Sequence, residues 1–235
     1  DPTFAPLCDG FLSVLDPAAT GAAQLAYSSF LFGGVFEHIV LDPDGSLVGV
    51  GSTSNLAFPT TPGAYDTEFG GLFESIDGIV CRLDPDLKSI VASTFINIWP
   101  PWDAASGPDG SITLVGRGAL SVVTPGAYDA TANGGLDASL VRLDGSLGTL
   151  QWGTLLGGDE DDDAFGVAVD PSGAVIVTGL TVSPDFPVTP GAHDTVWGGG
   201  LGDAFVSCLS ADGSQLLYSS YLGDAGTSVI IPMLK

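Results

Sequence analysis

An acidic run is the densest group of chemically competent side chains in the sequence. It comprises Asp159, Glu160, Asp161, Asp162 and Asp163, and it follows a Gly-Gly pair and precedes a segment that predicts a strand. Adjacent carboxylates repel one another, and Ca²⁺, which takes six to eight oxygen ligands, would relieve that repulsion. We therefore predict Asp159, Asp161 and Asp163 as candidate ligands of a possible calcium ion. The spacing is not that of an EF-hand, and a solvated acidic loop is the alternative.

A second candidate site is aromatic. Trp99 and Trp102 flank the stiff pair Pro100-Pro101. Two indoles held in this way offer a stacking platform for a sugar ring or for a side chain of a partner protein. Because proline cannot donate to a sheet ladder, the segment is expected on a sheet edge or in a loop. The alternative is that both indoles cover the core at an irregular part of the fold.

The residue types that catalysis requires are scarce. His38 and His193 are the only histidines, and the repeat described below places Tyr65 and Tyr128 at the position of His193. The sequence contains no Ser/His/Asp spacing, zinc motif or phosphate-binding glycine loop. A glycosidase-like carboxylate pair stays open, because the separation of two carboxylates depends on the fold. We predict that the protein is not an enzyme and that it has no catalytic residues.

An internal repeat positions these residues, since several landmarks recur in one order at a spacing of roughly 60 to 68 residues. The most distinctive is Thr-Pro-Gly-Ala, then an aromatic residue or histidine, then Asp, which we call the Thr-Pro-Gly element. It spans residues 61–66, 124–129 and 189–194. Another landmark recurs as Tyr27-Ser-Ser-Phe-Leu31 and Tyr218-Ser-Ser-Tyr-Leu222. The landmarks define successive copies of one structural unit.

Each copy predicts four short strands. Runs of β-branched and aromatic residues are bounded by Gly, Pro and Asp clusters, and Asp42-Pro-Asp-Gly45 and Asp170-Pro-Ser-Gly173 are typical of tight turns. In Phe165-Gly-Val-Ala-Val169 large and small residues alternate, which suits an innermost strand beside an axis. The sequence therefore predicts an all-β fold, a β-propeller of four-stranded antiparallel blades with about 3.5 blades in this chain. The long connections between second and third strands are expected to protrude on one side.

The repeat resembles the SBBP family of bacterial β-propeller repeats. The resemblance rests on Tyr218-Ser-Ser-Tyr-Leu222-Gly223, Gly166-Val-Ala-Val-Asp-Pro-Ser-Gly173, the Thr-Pro-Gly element and residues 199–206. It covers nearly the whole chain and is best in residues 150–224. It implies a secreted or surface-attached protein without a general catalytic activity, and it supplies no catalytic residues.

The copies divide the chain unevenly. We predict one propeller domain over residues 1–235, with a half blade at 1–34, blades at 35–97, 98–158 and 159–224, and a terminal strand at 225–235. The ends could close a four-bladed ring, two chains could share half blades, or open edges could join subunits into a polymer. The alternative is a piece of a longer propeller, because the only methionine is Met233. Val229, Ile230 and Ile231 in the terminal strand are candidate partner-binding residues.

The net charge of the chain limits the classes of partner that it is expected to bind. The chain has 28 acidic and 5 basic residues, a formal net charge of −23. Such a surface repels phosphate backbones and anionic lipid surfaces, so we predict no nucleic-acid partner. The longest uncharged stretch carries Pro, Gly, Ser and Thr, so we expect no membrane span. We predict an extracellular structural or assembly subunit that associates with itself; the alternative is a secreted adhesin that binds a glycan or a surface protein.

Overall fold

The computed structural model describes residues 10–31, 33–70, 76–98, 101–118 and 122–223. In these residues the protein is all-β, as predicted, and it includes a short 3₁₀ turn at Gly21–Gln24. No helix in this part of the chain is long and apolar enough to cross a membrane. The strands are β1 (Gly10–Leu15), β2 (Leu25–Leu31), β3 (Val35–Leu41), β4 (Leu47–Thr53), β5 (Asp77–Leu83), β6 (Ile90–Ile96), β7 (Pro101–Ser106), β8 (Ile112–Arg117), β9 (Ala138–Leu143), β10 (Leu150–Leu156), β11 (Asp162–Val169), β12 (Val175–Thr181), β13 (Asp203–Leu209) and β14 (Leu216–Tyr221).

The strands form four antiparallel sheets, each a simple up-and-down meander. β1 and β2 form a hairpin, which we call the terminal hairpin. β3–β6 form the first sheet, β7–β10 the second and β11–β14 the third, and in each of them every strand pairs with its neighbours in sequence. Short turns join the first strand to the second and the third to the fourth, and such turns connect antiparallel neighbours. The second and third strands of each sheet also pair, although a long connection separates them.

The first strands of the three sheets lie side by side. β3 contacts β7, and β7 contacts β11. Each of these strands has a register shift near its start, for example between Ala164 and Gly166. The bulge presses the chain against the second strand, and a Cβ at Gly179 would lie 1.9 Å from the carbonyl oxygen of Asp163. The turn glycines Gly45 and Gly173 are each followed six residues later by a glycine, Gly51 and Gly179, and a Cβ at either of these would lie 1.9 Å from a carbonyl oxygen of the first strand, which explains the recurrence.

The core lies between the sheets. One apolar cluster joins the first and second sheets, and another joins the second and third. A smaller cluster joins the terminal hairpin to the first sheet through Leu12, Leu31 and Leu83. β5 and β9 are buried at every position, as expected for strands with a neighbouring sheet on both faces. Burial of these faces holds the sheets together.

Candidate functional site: the terminal sheet faces

Two arginines lie at the interfaces between successive sheets and donate hydrogen bonds across them. Arg82 in β5 donates to the carbonyl oxygen of Gly110 at 3.1 Å, in the first turn of the second sheet. Arg142, at the equivalent position of β9, donates to the carbonyl of Gly173 at 3.1 Å, in the first turn of the third sheet, and to that of Ala211 at 2.9 Å. Each guanidinium thus donates to a turn of the sheet that follows, while Arg82 also forms an ion pair with Asp42 and Arg142 donates to Thr113, both in the arginine's own sheet.

Charged side chains also connect the inner strands. Asp103 on β7 accepts a hydrogen bond from His38 Nε2 on β3 at 2.8 Å and from the backbone N–H of Val167 on β11 at 2.8 Å. This hydrogen bond with Asp103 raises the pKa of His38. Arg117 on β8 forms a two-point contact with Asp163 on β11, with Nε–Oδ1 at 2.5 Å and Nη2–Oδ2 at 2.8 Å. Three sheets are therefore linked near their first strands.

The Thr-Pro-Gly elements do not protrude, contrary to the sequence-based expectation. The backbone N–H of Thr124 donates to the carbonyl of Gly153 on β10 at 3.0 Å, and Gly153 N–H donates back to Thr124 Oγ1 at 3.1 Å. The equivalent bonds join Thr61 to Ser93 and Thr189 to Ser219. Because a free β edge leaves donors and acceptors unpaired, each element covers the outer strand of its own sheet.

One face of the terminal hairpin is open. Phe11 and Leu15 on β1 are 72% and 66% exposed. The residues equivalent to Leu15 in the three complete sheets are Leu83, Leu143 and Leu209, and all three are buried against the preceding sheet. Leu25, which pairs with Leu15 across the hairpin, is also exposed. We call this surface the hairpin face.

One face of the third sheet is open in the same way. It carries Ile176, Cys208 and Tyr218, which pair across β12, β13 and β14, and Val206, which lies two residues before Cys208 on β13. Ile176 and Tyr218 are each 37% exposed. The opposite face of this sheet is buried against the second sheet. We call this surface the third-sheet face.

The equivalent positions in the first and second sheets are buried by the sheet that follows. Arg82 and Arg142 stand where the third sheet has Cys208, and Ala92 and Trp152 stand where it has Tyr218. The third-sheet face therefore lacks the bridging arginine.

The two open faces are counterparts by repeat position. In each interface between complete sheets, the face equivalent to the third-sheet face packs on the face equivalent to the hairpin face. The two open surfaces are apolar and of matching type, which is the arrangement required for head-to-tail packing.

The acidic run does not converge on one point. Asp159 is exposed, and its backbone N–H donates to Asp185 at 2.9 Å. Asp161 accepts the backbone N–H of Leu136 at 2.9 Å, while Asp163 pairs with Arg117. Within the described residues, which include the whole run, no group of three or more His, Cys, Asp or Glu side chains is arranged to hold a metal ion. Calcium binding stays a prediction without a ligand cage.

Two neighbouring carboxylates are buried beside this run. Asp137 and Asp162 flank Gly157, where a Cβ would lie 2.5 Å from Asp137 Oδ1 and 2.6 Å from Asp162 Oδ2. Burial, reinforced by the charge of Asp162, raises the pKa of Asp137 to about 6, against a hydrogen bond from the backbone of Asn133. Burial also raises the pKa of Asp162, which accepts hydrogen bonds from Gly158 N–H and Ser183 Oγ.

The remaining predicted site residues are partly outside the described residues. Trp102 lies on β7 at the edge of the second sheet and packs on Phe165 of β11, with ring centroids 4.7 Å apart. This contact uses one ring face for packing between sheets. Trp99 and the segment containing Val229, Ile230 and Ile231 lie outside the described residues. The structure therefore shows no pairing of the two tryptophans, and the platform stays a prediction.

No protein-family model matches the chain, and a search of curated proteins finds no match.

Sequence reasoning missed the bridging arginines and Asp103. The arginines do carry a sequence signal, since Arg82 and Arg142 are two of only five basic residues and occupy one repeat position. Asp103 carries no such signal, because its partners lie 65 and 64 residues away in other sheets.

Proposed function

We propose that the protein is an extracellular structural subunit of the β-propeller type that assembles head to tail with copies of itself. The observation that carries the proposal is the pair of open apolar faces, whose repeat equivalents pack on each other inside the chain. The third-sheet face of one copy would pack on the hairpin face of the next. Repeated from copy to copy, such a contact gives a linear polymer when its rotation does not close and a ring when it does.

The propeller arrangement is supported by the sheets themselves. Each sheet is a four-stranded meander with its first strand innermost, and successive sheets pack face to face, as blades around an axis do. The resemblance to SBBP repeats adds the expectation of a secreted or surface-attached protein. The strongly acidic composition favours a role that needs solubility without a nucleic-acid partner.

Substitution on the hairpin face tests the proposal. Leu15→Asp would place a charge in the packed interface, and we expect the chain to stay monomeric at concentrations at which the unaltered chain forms oligomers. Val91→Asp is the matched control, because Val91 is 53% exposed on β6, away from both faces. Multi-angle light scattering measures the mass, and electron microscopy shows whether linear particles form.

Labelling of Cys208 tests the same head-to-tail contact in a second way. It lies half-buried on the third-sheet face, whereas Cys81 is 1% exposed and does not compete for a bulky maleimide. In a Cys8→Ser background, labelling of Cys208 should slow as oligomers form, and prior labelling should block assembly. A chain that remains monomeric at every concentration, or Leu15→Asp oligomers like the unaltered ones, would overturn the proposal.

A further inference from the structure

Two buried carboxylates meet where the second sheet packs on the third. Asp137 directly precedes β9 of the second sheet, and Asp162 begins β11 of the third. Their exposed fractions are 2% and 0%. One oxygen of each, Asp137 Oδ1 and Asp162 Oδ2, lies within 2.6 Å of the point that a Cβ on Gly157 would occupy. The two carboxylates are therefore neighbours, although they come from different sheets.

No basic side chain in the described part of the chain neutralises this pair. Every ion pair that an arginine or histidine forms there is made with another aspartate. Asp137 Oδ1 is buried and has no hydrogen-bond partner among the described residues, while Asp137 Oδ2 accepts a long bond from Asn133 N–H at 3.3 Å. Because a buried charge requires a partner, the pair points to a positively charged ligand.

The aspartate itself belongs to the repeat. Asp77 and Asp203 occupy the position of Asp137 in the first and third sheets. Each accepts a backbone N–H on Oδ2, from Gly70 at 2.8 Å and from Gly198 at 2.5 Å. This hydrogen bond is therefore part of the fold, and it does not distinguish one junction between sheets from another.

The residues that face the aspartate do distinguish the junctions. Asn97 directly follows β6 of the first sheet, as Gly157 follows β10 of the second. Asn97 Nδ2 lies beside Asp77, since it and Asp77 Oδ2 are each 3.8 Å from the point that a Cβ on Gly70 would occupy. The first junction thus offers a neutral amide donor. The second junction has a glycine in that place and a second carboxylate opposite.

The oxygen donors select a hard cation. Carboxylates suit Ca²⁺, Mg²⁺ and Mn²⁺ better than they suit softer metals. Ca²⁺ tolerates irregular geometry and accepts backbone carbonyl oxygens as ligands, whereas Mg²⁺ demands a near-ideal octahedron and keeps several waters. Since even a Cβ at Gly157 would clash with both carboxylates, the pair leaves little space for a hydrated ion. Ca²⁺ is therefore the better fit.

An exposed carboxylate lies on the path from solvent to the pair. Asp185 is exposed, and its Oδ1 lies beside Gly158, the neighbour of Gly157. Burial raises the pKa of Asp162, and the charge of Asp185 adds to this effect. The negative potential that makes the pair costly also attracts a cation from this side.

We propose that Asp137 and Asp162 bind one Ca²⁺ ion, which links the second sheet to the third. Water and backbone carbonyl oxygens complete its coordination, as is common for Ca²⁺. The site has two carboxylates, so it differs from the cluster of three that the described residues do not form. It also differs from the ligands predicted from the sequence, because Asp159, Asp161 and Asp163 are not part of it.

Calcium chloride added to the full chain at pH 7.5 tests the site. Isothermal titration calorimetry should show saturable binding of one ion per chain, with a dissociation constant of about 10⁻⁴ to 10⁻³ M, the range of extracellular calcium modules. The melting temperature should rise relative to that in chelator, because a ligand that binds the folded state stabilises it. Magnesium chloride at the same concentration should give a smaller rise, which measures the contribution of charge screening.

Asp137→Asn and Asp162→Asn should each weaken Ca²⁺ binding at least tenfold. Asparagine keeps a carbonyl oxygen for the backbone N–H that each aspartate accepts, so the fold is retained, as circular dichroism checks. Asp159→Asn is the matched control, because it removes one charge from an exposed side chain of the same loop and should bind Ca²⁺ like the unaltered chain. In chelator Asp137→Asn should melt higher than the unaltered chain, and saturating Ca²⁺ should reverse that order.

Three results would contradict the site. The first is the absence of saturable Ca²⁺ binding, and the second is a loss of binding in Asp159→Asn but not in Asp137→Asn. The third is an equal rise in melting temperature with Ca²⁺ and Mg²⁺ in every variant, which screening alone explains. Leu15→Asp, which blocks head-to-tail assembly, should bind Ca²⁺ normally, so this proposal and the proposed function fail separately.

Discussion

The bridging arginines show how a chain with few cations uses them. Arg82, Arg117 and Arg142 are its only arginines, and each one contacts the sheet that follows its own. A guanidinium offers several donors in a fixed plane, so it can satisfy carbonyl oxygens from more than one turn. The arginines therefore fix the spacing between sheets as well as adding contact area.

Replacing Arg142 with methionine should destabilise the fold. Methionine removes the guanidinium that lies over the Trp152 ring, and it leaves the buried carbonyl of Gly173 without its donor, whereas the carbonyl of Ala211 keeps the hydrogen bond from Trp152 Nε1. Unsatisfied buried acceptors cost about 1–3 kcal/mol each, so we expect a loss of about 2 kcal/mol. Urea denaturation measures it. Lys88→Met, at an exposed position, should change stability by less than about 0.5 kcal/mol; equal losses in both variants would contradict the bridging role.

Asp137 should make the protein more stable as the pH falls from 7 toward 5. Its folded pKa of about 6 lies above the unfolded value, so between these values the folded state binds the proton more tightly. The penalty of burying the charge is complete above pH 6 and disappears as the carboxyl is protonated. Asp137→Asn should therefore melt at a higher temperature than the unaltered chain at pH 7.5.

The pH dependence of that difference separates Asp137 from the other carboxylates. Acid also reduces the total negative charge, and this affects both proteins alike. The gap in melting temperature between Asp137→Asn and the unaltered chain should narrow at pH 5. A gap that is the same at both pH values would show that Asp137 is not protonated in this range.

At the scale of elements, the Thr-Pro-Gly connections show what a sequence does and does not reveal. Their recurrence is visible in the sequence, and so is their turn chemistry. Their position is not, because Thr124 and its partner Gly153 are separated by 29 residues and pair without a strand pattern. Because long connections usually lie on the surface, the sequence predicts that the Thr-Pro-Gly elements protrude from the sheets. In the structure each element instead pairs with the outer strand of its own sheet, whose backbone groups would otherwise be unpaired.

Tyr128 and His193 occupy one position of this element and should differ in their effect on stability. Tyr128 packs between the second and third sheets, and we expect Tyr128→Ala to cost about 3 kcal/mol. His193 is exposed, with its backbone N–H directed to Tyr218 at 3.2 Å, so His193→Ala should cost less than about 0.5 kcal/mol. Differential scanning calorimetry of the dilute monomer compares them; similar losses would mean that position in the repeat, and not the neighbouring sheet, determines stability.

At the scale of the whole molecule, the repeat predicted that the strands group in fours, and the structure has three such four-stranded sheets among its described residues. The repeat did not reveal which sheets have both faces covered. Leu15 and Leu83 are alike in sequence context, and the difference in their exposure arises from what lies beside each sheet. The exposure of these leucines depends on how the sheets are arranged, and a local sequence pattern does not contain that arrangement.

Charge at this scale should oppose assembly. Every copy carries a formal charge of −23, so two copies repel at long range even though their contact faces are apolar. Salt screens that repulsion, with a Debye length of about 30 Å at 0.01 M and about 10 Å at 0.1 M. We therefore expect association to strengthen several-fold between 20 mM and 300 mM NaCl, as measured by sedimentation equilibrium, while Leu15→Asp stays monomeric throughout. An interface based on ion pairs would respond in the opposite direction, so weakening by salt would show that the two apolar faces are not the contact.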